Sequence, residues 1–166
     1  MKEFWYSGST ATGDIEGVIA ARNTTDAHDR LRDSGISILH LKRIRPFSDT
    51  VFWDMLEMLG LFLRQGYNVT EALRLMAEDE HRKIQTAAPI LRIRLESGIS
   101  LNDCLQVSFR NLRPEWLAVL RVGEEAARLA ETCALLIQRQ QERRRQRRRM
   151  MSTIAYPLTV VVATLL

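Results

Sequence analysis

The chain has 166 residues, 46% of them hydrophobic and 27% charged, a balance that excludes a disordered chain and suits one helical domain or two small ones. Its formal net charge is +4, yet seven arginines and one glutamate between Arg139 and Arg149 carry +6, which leaves −2 over the remainder. A mildly acidic body with one short basic tract, and no aromatic residues interleaved in that tract, argues against a nucleic-acid-binding protein.

Met1 to Gly13 has one lysine and no apolar run, unlike a signal peptide. Phe4 to Ser9 and Ile15 to Ala21 favour strands, and Ala11-Thr12-Gly13-Asp14 between them reads as the turn of a hairpin. Thr25 is expected to cap a short helix, Asp26 to Asp33, which Ser34-Gly35 stops. Ile36 to Ile44 then reads as a third strand. This ββαβ unit, residues 1–46, is too small to bury much core alone, so it is expected to lean on the helical residues C-terminal to it.

From Thr50 the apolar period becomes helical. Phe52, Met55, Leu56, Leu59, Phe62 and Leu63 form one stripe, and Gly66 ends it. Asn68 is placed to cap a second helix, with Glu71 three residues on. The same phrase recurs 32 residues later: Leu59, Leu63, Gly66, Val69 and Leu73 correspond to Leu91, Leu95, Gly98, Leu101 and Leu105, and Asn68 and Glu71 to Ser100 and Asp103. Helical hairpins can share this grammar by chance. A tetratricopeptide array has a similar period, but its tryptophan and proline positions are missing here. Two stacked hairpins would bury their stripes on each other. Gly66 and Gly98 should then have positive φ, the backbone conformation that costs a Cβ-bearing residue most.

Pro114 suits the first turn of a further helix with Trp116, Leu117 and Leu120 inward, and Gly123-Glu124-Glu125 is read as an interruption. A long helix is expected from Ala126, carrying Leu129, Cys133, Leu136 and Ile137 on one side and running through the arginine tract. The last 13 residues, Ile154 to Leu166, have no charge. They would span about 20 Å of helix, against a bilayer core of about 30 Å. An apolar tail packed on the domain is one reading, and the first part of a transmembrane helix is the other. Arg143, Arg144, Arg145, Arg147, Arg148 and Arg149 favour the second as a cytoplasmic-side, headgroup-binding tract, with Tyr156 as the interfacial aromatic beside Pro157.

Candidate chemistry is sparse. Cys104 and Cys133 lack metal-ligand spacing and read as small core residues; His28, His40 and His81 are scattered. Glu78-Asp79-Glu80 lacks the loop and glycine of a calcium hand. Glu124 and Glu131, seven apart, would share a helix face if that helix were continuous, which makes Glu124, Glu125 and Glu131 the candidate metal ligands, with an acidic interaction patch as the preferred reading. No phosphate-binding glycine loop and no nucleophile–base order is present, so no catalytic residue and no cofactor are assigned.

In order and spacing these phrases resemble the inner-membrane platform family of type II secretion and type IV pilus machines, usually called GspF and PilC. The resemblance rests on the Leu59-to-Leu73 phrase, on Gly98-Ile-Ser-Leu-Asn-Asp-Cys-Leu105, on the loosely matched Phe109 to Pro114, on Gly123-Glu-Glu-Ala-Ala-Arg-Leu129 and on Thr153-Ile-Ala-Tyr-Pro157. The family prefers a small hydroxyl residue and then glycine where this chain has Ala126-Ala127, which could make that turn a continuous helix here.

The resemblance implies a mainly α fold: the ββαβ unit (residues 1–46), an antiparallel bundle of about six helices with an internal hairpin repeat (47–153), and the start of a transmembrane helix (154–166). It further implies a non-catalytic bacterial inner-membrane scaffold with residues 1–153 in the cytoplasm, and more membrane spans and a second helical domain than these residues hold. Its partners would be a cytoplasmic assembly ATPase, pilin or pseudopilin, other inner-membrane components of the machine, copies of itself and anionic lipid headgroups. Gly66, Gly98 and Gly123 would be helix stops, and Glu124, Glu125 and Leu129 the contact or pivot. The competing reading is a free-standing interaction or regulatory module on a membrane tail.

Overall fold

The computed structural model describes the backbone of residues 1–164 and the side chains of residues 1–146. Strands β1 (Lys2–Thr10) and β2 (Gly13–Ala21) form the expected hairpin, in register from Lys2 opposite Ala21 to Thr10 opposite Gly13. Helix α1 (Thr24–Asp33) comes next, and β3 (Ser37–Arg43) returns antiparallel on the other side of β1, giving the sheet order β2-β1-β3. The cap of α1 differs from the sequence reading. Asn23, not Thr25, accepts the Asp26 N–H (2.7 Å), because the carboxamide oxygen sits three residues before that amide, where a cap must lie.

The core of this unit is small: Phe4, Ala21 and Ala27, with Ile19 and Leu41 packed against them. It leans on the bundle, as its size requires. Arg94, buried on α4 (Arg82–Glu96), reaches Glu3 on β1 at 2.6 Å and also donates to Ser108. Arg92 contacts Glu16 of β2 at 3.6 Å. Beyond β3, the Phe47 N–H donates to the Ser108 carbonyl and the Arg110 N–H to the Phe47 carbonyl (2.8 and 2.9 Å), which ties the joint around Pro46 to the end of α5 (Leu101–Ser108).

Among the described residues, six helices lie beyond the joint: α2 (Asp49–Arg64), α3 (Val69–Met76), α4, α5, α6 (Pro114–Glu125) and α7 (Leu129–Thr164). Phe52, Leu59, Leu73, Leu91 and Leu105 all lie in one core cluster, so the stripes read from the sequence do face each other. An aromatic group closes one side of it, with Trp53 edge-on to both Phe52 and Trp116.

The two hairpins match atom for atom at their turns. After α2 the Gly66 N–H donates to Leu63 O and the Tyr67 N–H to Phe62 O; after α4 the Gly98 N–H donates to Leu95 O and the Ile99 N–H to Arg94 O. Both are Schellman stops, with φ of +94° at Gly66 and +85° at Gly98. Asn68 then caps α3 on the Glu71 N–H, and Ser100 caps α5 on the Asp103 N–H. The 32-residue spacing is thus a repeat of backbone geometry as well as of letters.

Candidate functional site

The residues read as a contact or pivot gather at the corner between α6 and α7, which is not the continuous helix that two alanines in place of a hydroxyl residue and glycine suggested. α6 ends at Glu125, with Ala126 as its C-cap. The Ala127 N–H donates to Glu124 O (3.1 Å), the Arg128 N–H to Gly123 O (2.8 Å), and Ala127 has φ +55°. This is the bond pattern of the stops at Gly66 and Gly98, with alanine in the left-handed position that glycine holds there. The long helix accordingly begins at Leu129 rather than Ala126.

Gly123 is not the stop. It lies buried inside α6, where a Cβ would come within 2.1 Å of the Thr132 Oγ1 and 2.7 Å of the Thr132 Cβ. Its bare backbone lets α7 cross closely. Gly60, in the middle of α2, does the same under Cys133, with a Cβ-to-Cβ approach of 3.1 Å. Gly60, Thr132 and Cys133 were not singled out from the sequence as contacts between helices. The available signal was a glycine within an otherwise uninterrupted helical stripe, which marks close packing as often as a cap.

Because left-handed backbone costs a Cβ-bearing residue about 1–2 kcal/mol, Ala127→Gly is expected to stabilise the domain by about 1 kcal/mol, the gain being trimmed by the freer unfolded chain. Urea unfolding measures this directly. An unchanged or lower midpoint would mean that the backbone at position 127 is not left-handed in solution.

At this corner Glu124 and Glu125 are exposed at the end of α6, while Leu129 is buried and anchors the start of α7. The Glu124 carboxyl is raised above its ordinary range, by desolvation first and by the neighbouring Glu125 charge second. Glu131 stands on the other helix, paired with Arg128 at 3.1 Å, and Glu125 lies 3.9 Å from Arg121. The broken helix therefore removes the shared face expected for Glu124 and Glu131. Among the described residues, no group of three histidine, cysteine or acidic side chains is placed to hold a metal ion.

Both cysteines are free and buried. Burial pushes the Cys104 thiol up to about 11 and that of Cys133 up to about 12. At neutral pH both are protonated core groups rather than nucleophiles. Arg143, Arg144 and Arg145 are exposed on α7. The side chains of Arg147, Arg148, Arg149, Tyr156 and Pro157 lie outside the described residues. Among those described, no helix is long and apolar enough to cross a membrane.

Residues 55–166 match the family model described as Type II secretion system (T2SS), protein F. Over 168 aligned residues the chain is 26% identical to the Protein transport protein HofC homolog of Escherichia coli (strain K12), an alignment covering 96% of this chain and 42% of that protein. The chain thus spans less than half the length of the curated relative it matches.

Proposed function

The chain belongs to the type II secretion system protein F family, and from that premise we propose that it serves as a non-catalytic inner-membrane platform which couples a cytoplasmic assembly ATPase to the assembly of pilin or pseudopilin subunits. Residues 1–153 are cytoplasmic in this reading, the arginine tract lies at the headgroups, and Ile154 onward enters lipid. The run of arginines against an uncharged segment supports that orientation.

The observation that carries the coupling is α7. It is a single helix from Leu129 to Thr164, about 54 Å at 1.5 Å per residue. Its first turns are clamped at two glycine crossings, Gly60 under Cys133 and Gly123 under Thr132. A helix gripped at one end and unbroken to the other transmits a tilt or rotation that a flexible linker would absorb. The corner sits at the gripped end, where Leu129 is buried and Glu124 and Glu125 are exposed to an ATPase or to a second copy of the chain.

The test is a four-residue Gly-Ser insertion after Gln138, beyond both crossings. Secretion or pilus assembly should be lost in a host complemented with the altered full-length gene, while circular dichroism, thermal midpoint and ATPase binding stay at wild-type values. Wild-type transport by the insertion variant would refute rigid coupling.

A further inference from the structure

Two grooves flank the N-terminus of α2, and their walls carry seven cations and one carboxylate, Asp49. The first lies between the sheet and the bundle and is walled by Lys42, Arg43, Arg45 and Lys83 over an apolar floor that includes Ile44, Phe47 and Pro89. The second is walled by Arg113, Arg143 and Arg144 beside Trp116. Five of these cations belong to the body, whose net charge is −2, and Arg143 and Arg144 belong to the basic tract.

The pairing pattern sharpens the contrast. Eight arginines elsewhere in the body, Arg94 among them, sit in ion pairs. Among the described residues, none of Lys42, Arg43, Arg45 and Lys83 does, and all four are exposed. The acidic run Glu78 to Glu80 lines neither groove. Trp5, which lines the first groove, has an indole N–H without a partner among the described residues. Arg113 lies over the Trp116 ring, 5.5 Å from its centre.

The helix directions decide which way this end points. α7 runs antiparallel to α2: Cys133 crosses Gly60, and further along Arg143 shares a groove with Asp49 at the start of α2. The start of α2 therefore points along α7 toward the uncharged segment. From Arg144 to Ile154 is ten residues, about 15 Å of helix. The acidic Glu124–Glu125 corner lies at the opposite end.

We propose that the end of the domain around the start of α2 is a docking face for anionic lipid headgroups, their phosphates held by Lys42, Arg43, Arg45 and Lys83 on one side and by Arg113 and Arg143 on the other. The proposal rests on the reading that the chain enters the membrane after its arginine tract, and it adds that the folded body lies down on the bilayer. Docking fixes the root of α7 relative to the membrane plane and turns the acidic corner toward the cytoplasm. Phe47, partly buried and packed against the core, keeps the floor between the cations apolar.

An environment-sensitive fluorophore on Ser48→Cys, with the same label on Glu124→Cys as the distal control, tests this in the full chain, because both native thiols are buried. With vesicles containing phosphatidylglycerol the label at position 48 should shift to the blue and the label at 124 should not. With phosphatidylcholine alone neither should shift. Lys42→Gln/Arg43→Gln/Arg45→Gln/Lys83→Gln should raise the phosphatidylglycerol needed for half the shift at least ten-fold, since each surface cation contributes roughly five-fold. An unchanged response in that variant, or equal shifts at both labels, overturns the proposal. So does stoichiometric binding of a polyglutamate peptide to a protein that shows no preference for phosphatidylglycerol, which would assign the grooves to an acidic protein segment. Insertion of the uncharged segment is read separately, by retention in phosphatidylcholine vesicles after a carbonate wash. Loss of retention sinks the membrane reading, whereas retention with an unresponsive label at 48 sinks only the docking face.

Discussion

Gly123→Ala is expected to destabilise the domain by about 3 kcal/mol, at the upper end of what an added methyl costs in a packed interior. The new Cβ would lie 2.1 Å from the Thr132 Oγ1 and 2.7 Å from its Cβ. Rotating the threonine relieves only the first clash, because a Cβ does not move with χ1. The Thr132 hydroxyl also donates to the Arg128 carbonyl at 2.9 Å, so turning it away gives up a bond in the first turn of α7. The helices must separate, and the Leu129 and Cys133 packing behind them loosens. Thr132→Gly in the same chain removes the opposing Cβ and should recover more than half of the loss despite the ~1 kcal/mol that glycine costs in a helix. Urea unfolding of the two single variants and the double variant forms the cycle. A Gly123→Ala protein within about 0.5 kcal/mol of wild type, the ordinary range for a substitution that disturbs nothing, would show that α6 and α7 do not cross as described.

Glu3→Ala should cost about 2 kcal/mol, less than breaking a fully buried pair, because Glu3 is itself partly exposed. The cost is asymmetric. Arg94 is only 5% exposed at its side chain and Glu3 is 38% exposed, so removing the carboxylate leaves a largely buried guanidinium with Ser108 as its remaining side-chain acceptor among the described residues. Arg94→Met removes the charge that needs compensation and lets the Glu3 carboxylate rehydrate. It should therefore cost less than Glu3→Ala, and Glu3→Ala/Arg94→Met should be more stable than Glu3→Ala alone. Because the pair joins β1 to α4, the β1 amides should lose hydrogen-exchange protection at lower urea in Glu3→Ala than the amides of the helical bundle do. Coincident transitions, or a Glu3→Ala midpoint equal to wild type, would show that the pair does not hold the sheet to the bundle.

Most elements of this fold are legible in single stretches of sequence. The hairpin around Ala11-Thr12, the stops at Gly35, Gly66 and Gly98, the caps at Asn68 and Ser100 and the stripe through Phe52 and Leu59 all depend on residues a few positions apart. The repeat at a 32-residue spacing could be read for the same reason, since each copy specifies its own stop and cap. Sequence and structure differ where one local grammar has two solutions. Asn23 and Thr25 are both acceptable caps, and the hydrogen bond to Asp26 goes to the one three residues upstream. Gly123 reads equally as a stop or as a contact. The bond pattern puts the stop at Ala127, a residue type that gives no local hint of left-handed backbone.

The candidate site was legible only in part. Glu124, Glu125 and Leu129 could be picked from sequence because they lie at the end of one apolar stripe and the beginning of another. Their separation from Glu131 could not, since it results from the break at Ala127. The sequence by itself determined the ββαβ unit, the helices after it, the caps at Asn68 and Ser100 and the basic tract, because hydrogen bonding within a turn and burial of one helix face are decided by near neighbours. Only the tertiary structure decided that Gly60 and Gly123 are crossings, that Glu3 and Arg94, 91 residues apart, form a joint, and that Lys42, Arg43, Arg45 and Lys83 share a groove at the start of α2. Each of these depends on which faces of distant elements lie opposite each other, and that is settled by the packing of the whole core and not by any window of the chain.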